Sequence, residues 1–271
     1  MSEPDKRAAR GITMQLVFAV VSTLVLALLV GPVIAVLLTE PGRMVQLAVS
    51  DHELARAIAT SMSCAATATL LCVLLGTPLA YVLVRVPFPG KSVVRALINL
   101  PLAIPHPIAG IALLLVFGRR GLLGAVFHGQ LEIAIASAAP GIVLAMFFVS
   151  VPLLVRSVEE GFHGVDVRLE QAALGLGAGP WTAFRLVTLP LTRPAILAGG
   201  AAAFARSLSE FGSIAVLAYF PQTAPVLIWD RFRAYGIGSA LPAAGLLLLL
   251  SLVCFLLWSL ADARSRRRAI R

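Results

Sequence analysis

The sequence predicts an all-α polytopic membrane protein that crosses the bilayer six times. Composition and patterning carry this prediction. Of the 271 residues, 59% are hydrophobic and only 13% are charged, about half the charge of an ordinary soluble domain. A soluble fold of this size has too little interior to hide that much apolar surface. The pattern is six separate apolar runs, each matching the ~20 residues a helix needs to cross the hydrocarbon core. Barrel strands are short and alternating, so helices are the only spanning structure these runs permit. No length remains for a separate soluble domain, and residues 1–271 read as one transmembrane domain.

The first run covers 12–38 and follows Lys6, Arg7 and Arg10. It is longer than the ~7–15-residue core of a cleaved signal, so it is expected to be a retained span. The second covers 57–84. The third, 98–117, contains Pro101, Pro105 and Pro107 around His106. Each proline removes an amide donor and disfavours the helical conformation of the residue before it, which predicts a kinked or broken helix facing the bundle interior. The fourth run covers 134–155, the fifth 195–220 and the sixth 237–260. Between the last two, 223–235 mixes Trp229 and Phe232 with Asp230, Arg231 and Arg233, and reads as an interfacial or re-entrant helix.

The net charge of +9 does not point to nucleic acid, because the basic residues cluster between the runs. Fifteen Lys and Arg fall on one side, six on the other, and Arg206 lies inside a run. The positive-inside rule therefore predicts that both termini are cytoplasmic. Cys64, Cys72 and Cys254 lie in apolar runs without metal-binding spacing and read as small buried hydrophobes. Gly90-Lys91-Ser92 ends like a P-loop, but Arg85 stands where that pattern needs its first glycine. No nucleotide site is expected on this chain.

Residues 156–194 form a long cytoplasmic loop. Its 167–176 stretch has helix-forming composition, Gly175, Gly177 and Gly179 break it, and Pro180 opens a second helical stretch to Leu189. Within it stand Gln171-Ala172-Ala173, Gly177 after three intervening residues, and Val187-Thr188-Leu189-Pro190 after nine more. This resembles the E-A-A…G…I-x-L-P motif of ABC importer permeases, with Gln171 for Glu and Val187 for Ile. The resemblance implies a type I importer permease fold and a homodimer. It also implies two ATP-binding ABC subunits that carry ATP and Mg, an external oxyanion-binding protein, and a cell-membrane location. It assigns ATPase docking to Asp166, Glu170, Gln171, Ala172, Ala173, Gly177, Leu189 and Pro190. It implies no cofactor and no catalysis in the chain itself.

Further stretches resemble molybdate and tungstate permeases. They include 76–81, 88–92, 100–110, 140–143, 160–170, Ser209-Glu210-Phe211-Gly212 and Ala218-Tyr219-Phe220-Pro221. Sulfate permeases share the 204–212 region, which leaves sulfate or thiosulfate as an alternative. A stand-alone secondary anion transporter is a second class, but it calls for intramembrane carboxylates and repeats, and Glu210 is the only acid deep in a run. Arg206 and Glu210 share a helix face at i,i+4 spacing. With Pro105, His106 and Ser209 they form the candidate translocation path.

Overall fold

The computed structural model describes the backbone of residues 3–269 apart from 125 and 127–134, and the side chains of 14–256 apart from the same positions. The expected start of the fourth span at Ala134 and the side chains of both terminal basic clusters lie outside the described residues. The described residues form thirteen numbered helices. They are α1 (Glu3–Thr39), α2 (Pro41–Ser50), α3 (His52–Leu71), α4 (Thr77–Arg85), α5 (Lys91–Ala103), α6 (His106–Phe117) and α7 (Ala139–His163). There follow α8 (Val167–Gly175), α9 (Pro180–Ala183), α10 (Leu189–Leu208), α11 (Gly212–Leu217), α12 (Ala224–Tyr235) and α13 (Ile237–Ala269). Single π turns, Cys72–Gly76 and Phe184–Thr188, fuse α3 to α4 and α9 to α10.

The centre of the bundle is α7, which buries Ile142, Met146, Val149, Leu154, Val158 and Phe162. It is ringed by α3, α4, α6, α10 and α11. Lipid tails are as apolar as leucine, so close packing rather than water exclusion must hold these helices together. The structure shows that packing at glycines. A Cβ on Gly76 would meet Leu154 Cδ2 at 2.6 Å, and one on Gly199 would meet Ser157 Cβ at 2.9 Å and Leu154 Cα at 3.2 Å. Thus the π turn before α4 and helix α10 close on the same turn of α7 from two sides. Ser150 and Ser207 Oγ, both buried, share a hydrogen bond at 2.9 Å between α7 and α10. By contrast, no described residue of α1 is buried, and it packs on α13 alone among the closely packed pairs.

Five spans are continuous helices long and apolar enough to cross, and the third is broken as the prolines predict, the pair α5 and α6 being bent by 117°; two other expectations need correction. At ~1.5 Å per residue neither half covers a ~30 Å core. The cause is Pro105, whose extended ψ of 134° ends the helical path and whose carbonyl instead accepts the Ala109 amide at 3.1 Å. The fifth span does not run through 195–220. It begins at Pro180, includes the second π turn, and ends at Leu208. The loop 156–194 is mostly helix: α7 continues to His163, and the second helical stretch is the start of the fifth span rather than a separate helix. Segment 223–235 is helical as expected, as α12.

Candidate functional site

Two places gather the residues singled out by sequence. The first is the element 164–190. Asp166 caps α8, its carboxylate accepting the Arg168 amide at 2.9 Å. The helix buries none of its residues. Gln171 and Ala172 are exposed and Ala173 is half-buried. Gly177 then reverses the chain at φ +87°, a left-handed conformation that only glycine adopts freely. Its amide donates to Leu174 O at 3.0 Å and that of Ala178 to Ala173 O at 3.1 Å, satisfying the carbonyls at the helix end. Pro180 opens α9 at a position where a missing amide costs nothing.

The outcome is a rigid helix–turn–helix presenting Leu169, Leu174, Leu176, Trp181 and Leu186 to the outside. Leu176 is 90% exposed. An apolar surface of this kind marks a contact with another protein or with the membrane. Leu189 and Pro190 lie at the start of α10, half-buried and exposed. Glu170 is not on this surface. It turns inward and accepts from Arg85 Nη2 at 2.9 Å and Nε at 3.1 Å. Arg85 Nη2 also donates to Val165 O at 3.0 Å.

The second place is a double break. The α5–α6 bend lies against the end of α10 and the start of α11. Gly212 permits the approach, since a Cβ there would meet His106 Cβ at 2.8 Å. Arg206 donates to Glu210 Oε2 at 2.8 Å and also bonds His106 Nε2. Glu210 is 1% exposed, and its other oxygen accepts from the Ser213 amide and hydroxyl, each at 2.8 Å. The helix ends at Leu208, so the expected pair forms across the helix end rather than along one continuous helix. Pro105, His106 and Ser209 are exposed and Arg206 is partly so. The face presents cationic and hydroxyl groups, with a buried carboxylate fixing the cation. A charge at membrane depth costs roughly 2.5–3.5 kcal/mol on insertion scales, so this face belongs to protein or water, not lipid.

Sequence reasoning missed the partners that fix these places. Arg85 lies 85 residues from Glu170, and Arg95 donates to Glu159 Oε1 at 2.9 Å across 64. No local pattern announces such pairs. Nor was a second clasp read: Arg231 of α12 grips Asp51 at 2.5 and 3.1 Å and Glu53 at 2.9 Å. The guanidinium holds Asp51 below the usual carboxylate range, and the carboxylates raise Arg231 in turn. Nearby, Tyr219 donates its hydroxyl to Asp230, which pushes the phenol up. Gly90, the P-loop mimic, is the left-handed residue before α5, at φ +82°.

Residues 72–267 match the family described as binding-protein-dependent transport system inner membrane component. The chain is 37% identical over 242 residues to the molybdate/tungstate transport system permease protein WtpB of Thermococcus kodakarensis, covering 89% of this chain and 92% of that one. It is 43% identical over 158 residues to the molybdenum transport system permease protein ModB of Escherichia coli K12, covering 58% and 69%. Its fold is similar to that of a chain of a bacterial ABC transporter that imports the acidic polysaccharide alginate, with TM-score 0.75, 17% identity and coverage of 97% and 99%. That transporter is also solved with its periplasmic protein bound.

Proposed function

The chain belongs to the inner membrane components of binding-protein-dependent transport systems, and from that premise we propose that it is the membrane-spanning subunit of an ATP-driven importer of molybdate and tungstate. The observation that carries the reading is the exposed helix–turn–helix around Gly177, an apolar docking surface built onto the fifth span by a continuous helical path. The named substrates of its relatives supply the cargo.

On this reading the chain performs no chemistry. Two copies form the pore as a homodimer, lipid surrounds it, and both termini face the cytoplasm. Each copy carries one ATP-binding subunit, which holds ATP and Mg, against Gln171, Ala172, Ala173, Gly177, Leu189 and Pro190. Asp166 fixes the start of that helix. An extracytoplasmic protein delivers the oxyanion. ATP binding closes the ATPase pair, draws the two docking elements together and opens the pore outward; hydrolysis returns it. The tetrahedral dianion passes the double break, where Arg206 offers charge, His106 and Ser209 offer polar contacts, Glu210 limits the net positive charge, and Pro105 keeps the helix open.

The test is cellular molybdenum and tungsten by mass spectrometry, with sulfate uptake in parallel, in cells with and without the chain under trace-metal scarcity. The expected result is loss of metal accumulation with sulfate uptake intact. Loss of sulfate uptake with unchanged metals would overturn the substrate and assign the sulfate branch.

A further inference from the structure

The span His52–Arg85 is the only one held at both ends by arginine–carboxylate clasps to elements outside the membrane, among the described residues. It is 34 residues long, counting the π turn. At about 1.5 Å per residue it reaches some 50 Å, well beyond the hydrocarbon core at each side.

At the inner end, Arg85 is the last residue of α4. Its side chain, 13% exposed, joins Glu170 on the docking helix and the carbonyl of Val165 just before it. The docking helix buries no residue of its own, so this three-bond contact is a directional link from it to the bundle. At the outer end, Asp51 is the cap of α3. Its Oδ1 accepts the Leu54 amide at 2.9 Å while both oxygens hold Arg231 of α12. The grip is therefore on the helix cap itself, not on a loose side chain. A second bond ties the same two elements: the Ala224 amide, first in α12, donates to the buried Ser61 Oγ of α3 at 2.8 Å. Between the clasps, Gly76 seats the π turn against Leu154 of α7.

We infer that His52–Arg85 is a connecting rod that couples the docking element to α12 on the opposite face, with Arg85 and Arg231 as positioning residues at its two ends and the Gly76–Leu154 contact as its fulcrum. The inference rests on the permease reading above. A shift of the docking helix pulls Arg85 through Glu170, tilts the rod about α7, and moves α12 through Asp51 and Ser61. Coupling of this kind is reciprocal, so an event at α12 changes the docking element by the same free energy.

The experiment uses the permease assembled with its ATPase and binding protein in lipid nanodiscs. In R85Q and R231Q, stimulation of ATP hydrolysis by loaded binding protein should fall at least about fivefold, with basal hydrolysis within about twofold of wild type. The charge-swapped R85E/E170R protein should recover much of the stimulation. A second readout needs no turnover. A cysteine at the exposed Tyr235 of α12 (Y235C) should change its labelling rate when a non-hydrolysable ATP analogue binds, and R85Q should abolish that change. Wild-type stimulation in both assembled variants, or an analogue-induced labelling change that survives R85Q, would overturn the rod. If the wild-type assembly itself showed no stimulation, the permease reading would fall and the rod with it.

Discussion

Gly177 shows how much a missing side chain can decide. Its φ of +87° turns the docking element, and nothing crowds the site, so the cost of G177A is conformational, on the order of 1–2 kcal/mol. If docking needs this turn, the variant should bind its ATPase subunit roughly 5–30-fold more weakly, measured by titrating the ATPase onto immobilised permease. Glu210 is the opposite case, a side chain that cannot be spared. Breaking a fully buried ion pair typically costs about 3–5 kcal/mol because the partner charge stays behind; Arg206 is partly exposed, so the cost here is smaller. E210Q should therefore lower the thermal midpoint in detergent clearly, while R206Q/E210Q should recover part of it. Asp51 gives a pH signature. Its folded pKa is depressed, so its contribution is complete above the ordinary carboxylate value near 3.9 and is lost as pH falls through the lower folded value. Asparagine caps helices as well as aspartate does, so D51N isolates the charge. The variant should be less stable at neutral pH, and its stability should fall less steeply on acidification below about pH 4.

At the scale of elements, Gly76 and Gly199 approach the same α7 turn but against different neighbours. The Gly76 contact is the end of a leucine side chain, which can swing away, whereas the Gly199 contacts include the Leu154 backbone. Overpacking typically costs about 1–3 kcal/mol. G199A should therefore depress the melting temperature more than G76A, a ranking that scanning fluorimetry reads directly. The contrast also explains what the sequence could announce. Long apolar runs revealed the spans, because a bilayer demands length and continuity. Glycine and proline spacing revealed the docking turn and the break in the third span. The fifth span was misplaced at both ends: its amphipathic start read as a separate short helix of the loop, and the apolar residues after Leu208, which form the separate helix α11, read as its continuation. Hydropathy records burial in apolar surroundings and not backbone direction, so it cannot see a helix end inside the bundle. The Arg85–Glu170 and Arg231–Asp51 clasps were invisible because each depends on helices meeting far apart in the chain. His106, Arg206 and Glu210 were each legible as odd residues in apolar runs, but their meeting needed Gly212 to bring α11 against α6.

Across the whole molecule, two surfaces are equally bare and chemically opposite. Helix α1 exposes an unbroken apolar face, including Leu26 at 59%, which suits lipid or another apolar helix. The double break exposes Pro105, His106 and Ser209 beside a partly exposed Arg206, at the depth where two spans lose their helical backbone. Backbone breaks at that depth survive only against protein or a water-filled cavity. The polar face of such a chain therefore turns to protein or an aqueous path, while its apolar face turns to lipid or another apolar helix. Thiol chemistry separates the two, because charged reagents attack the thiolate, which exists only in water. In a background lacking Cys64, Cys72 and Cys254, S209C should react with a membrane-impermeant charged thiol reagent at least about tenfold faster than L26C in the assembled transporter, the thiolate being scarce in lipid. Molybdate or tungstate delivered by the binding protein should slow the S209C reaction and leave L26C unchanged. Equal, slow labelling at both positions would place the break against lipid or dry protein and remove it from the translocation path, whatever the uptake measurements said about cargo.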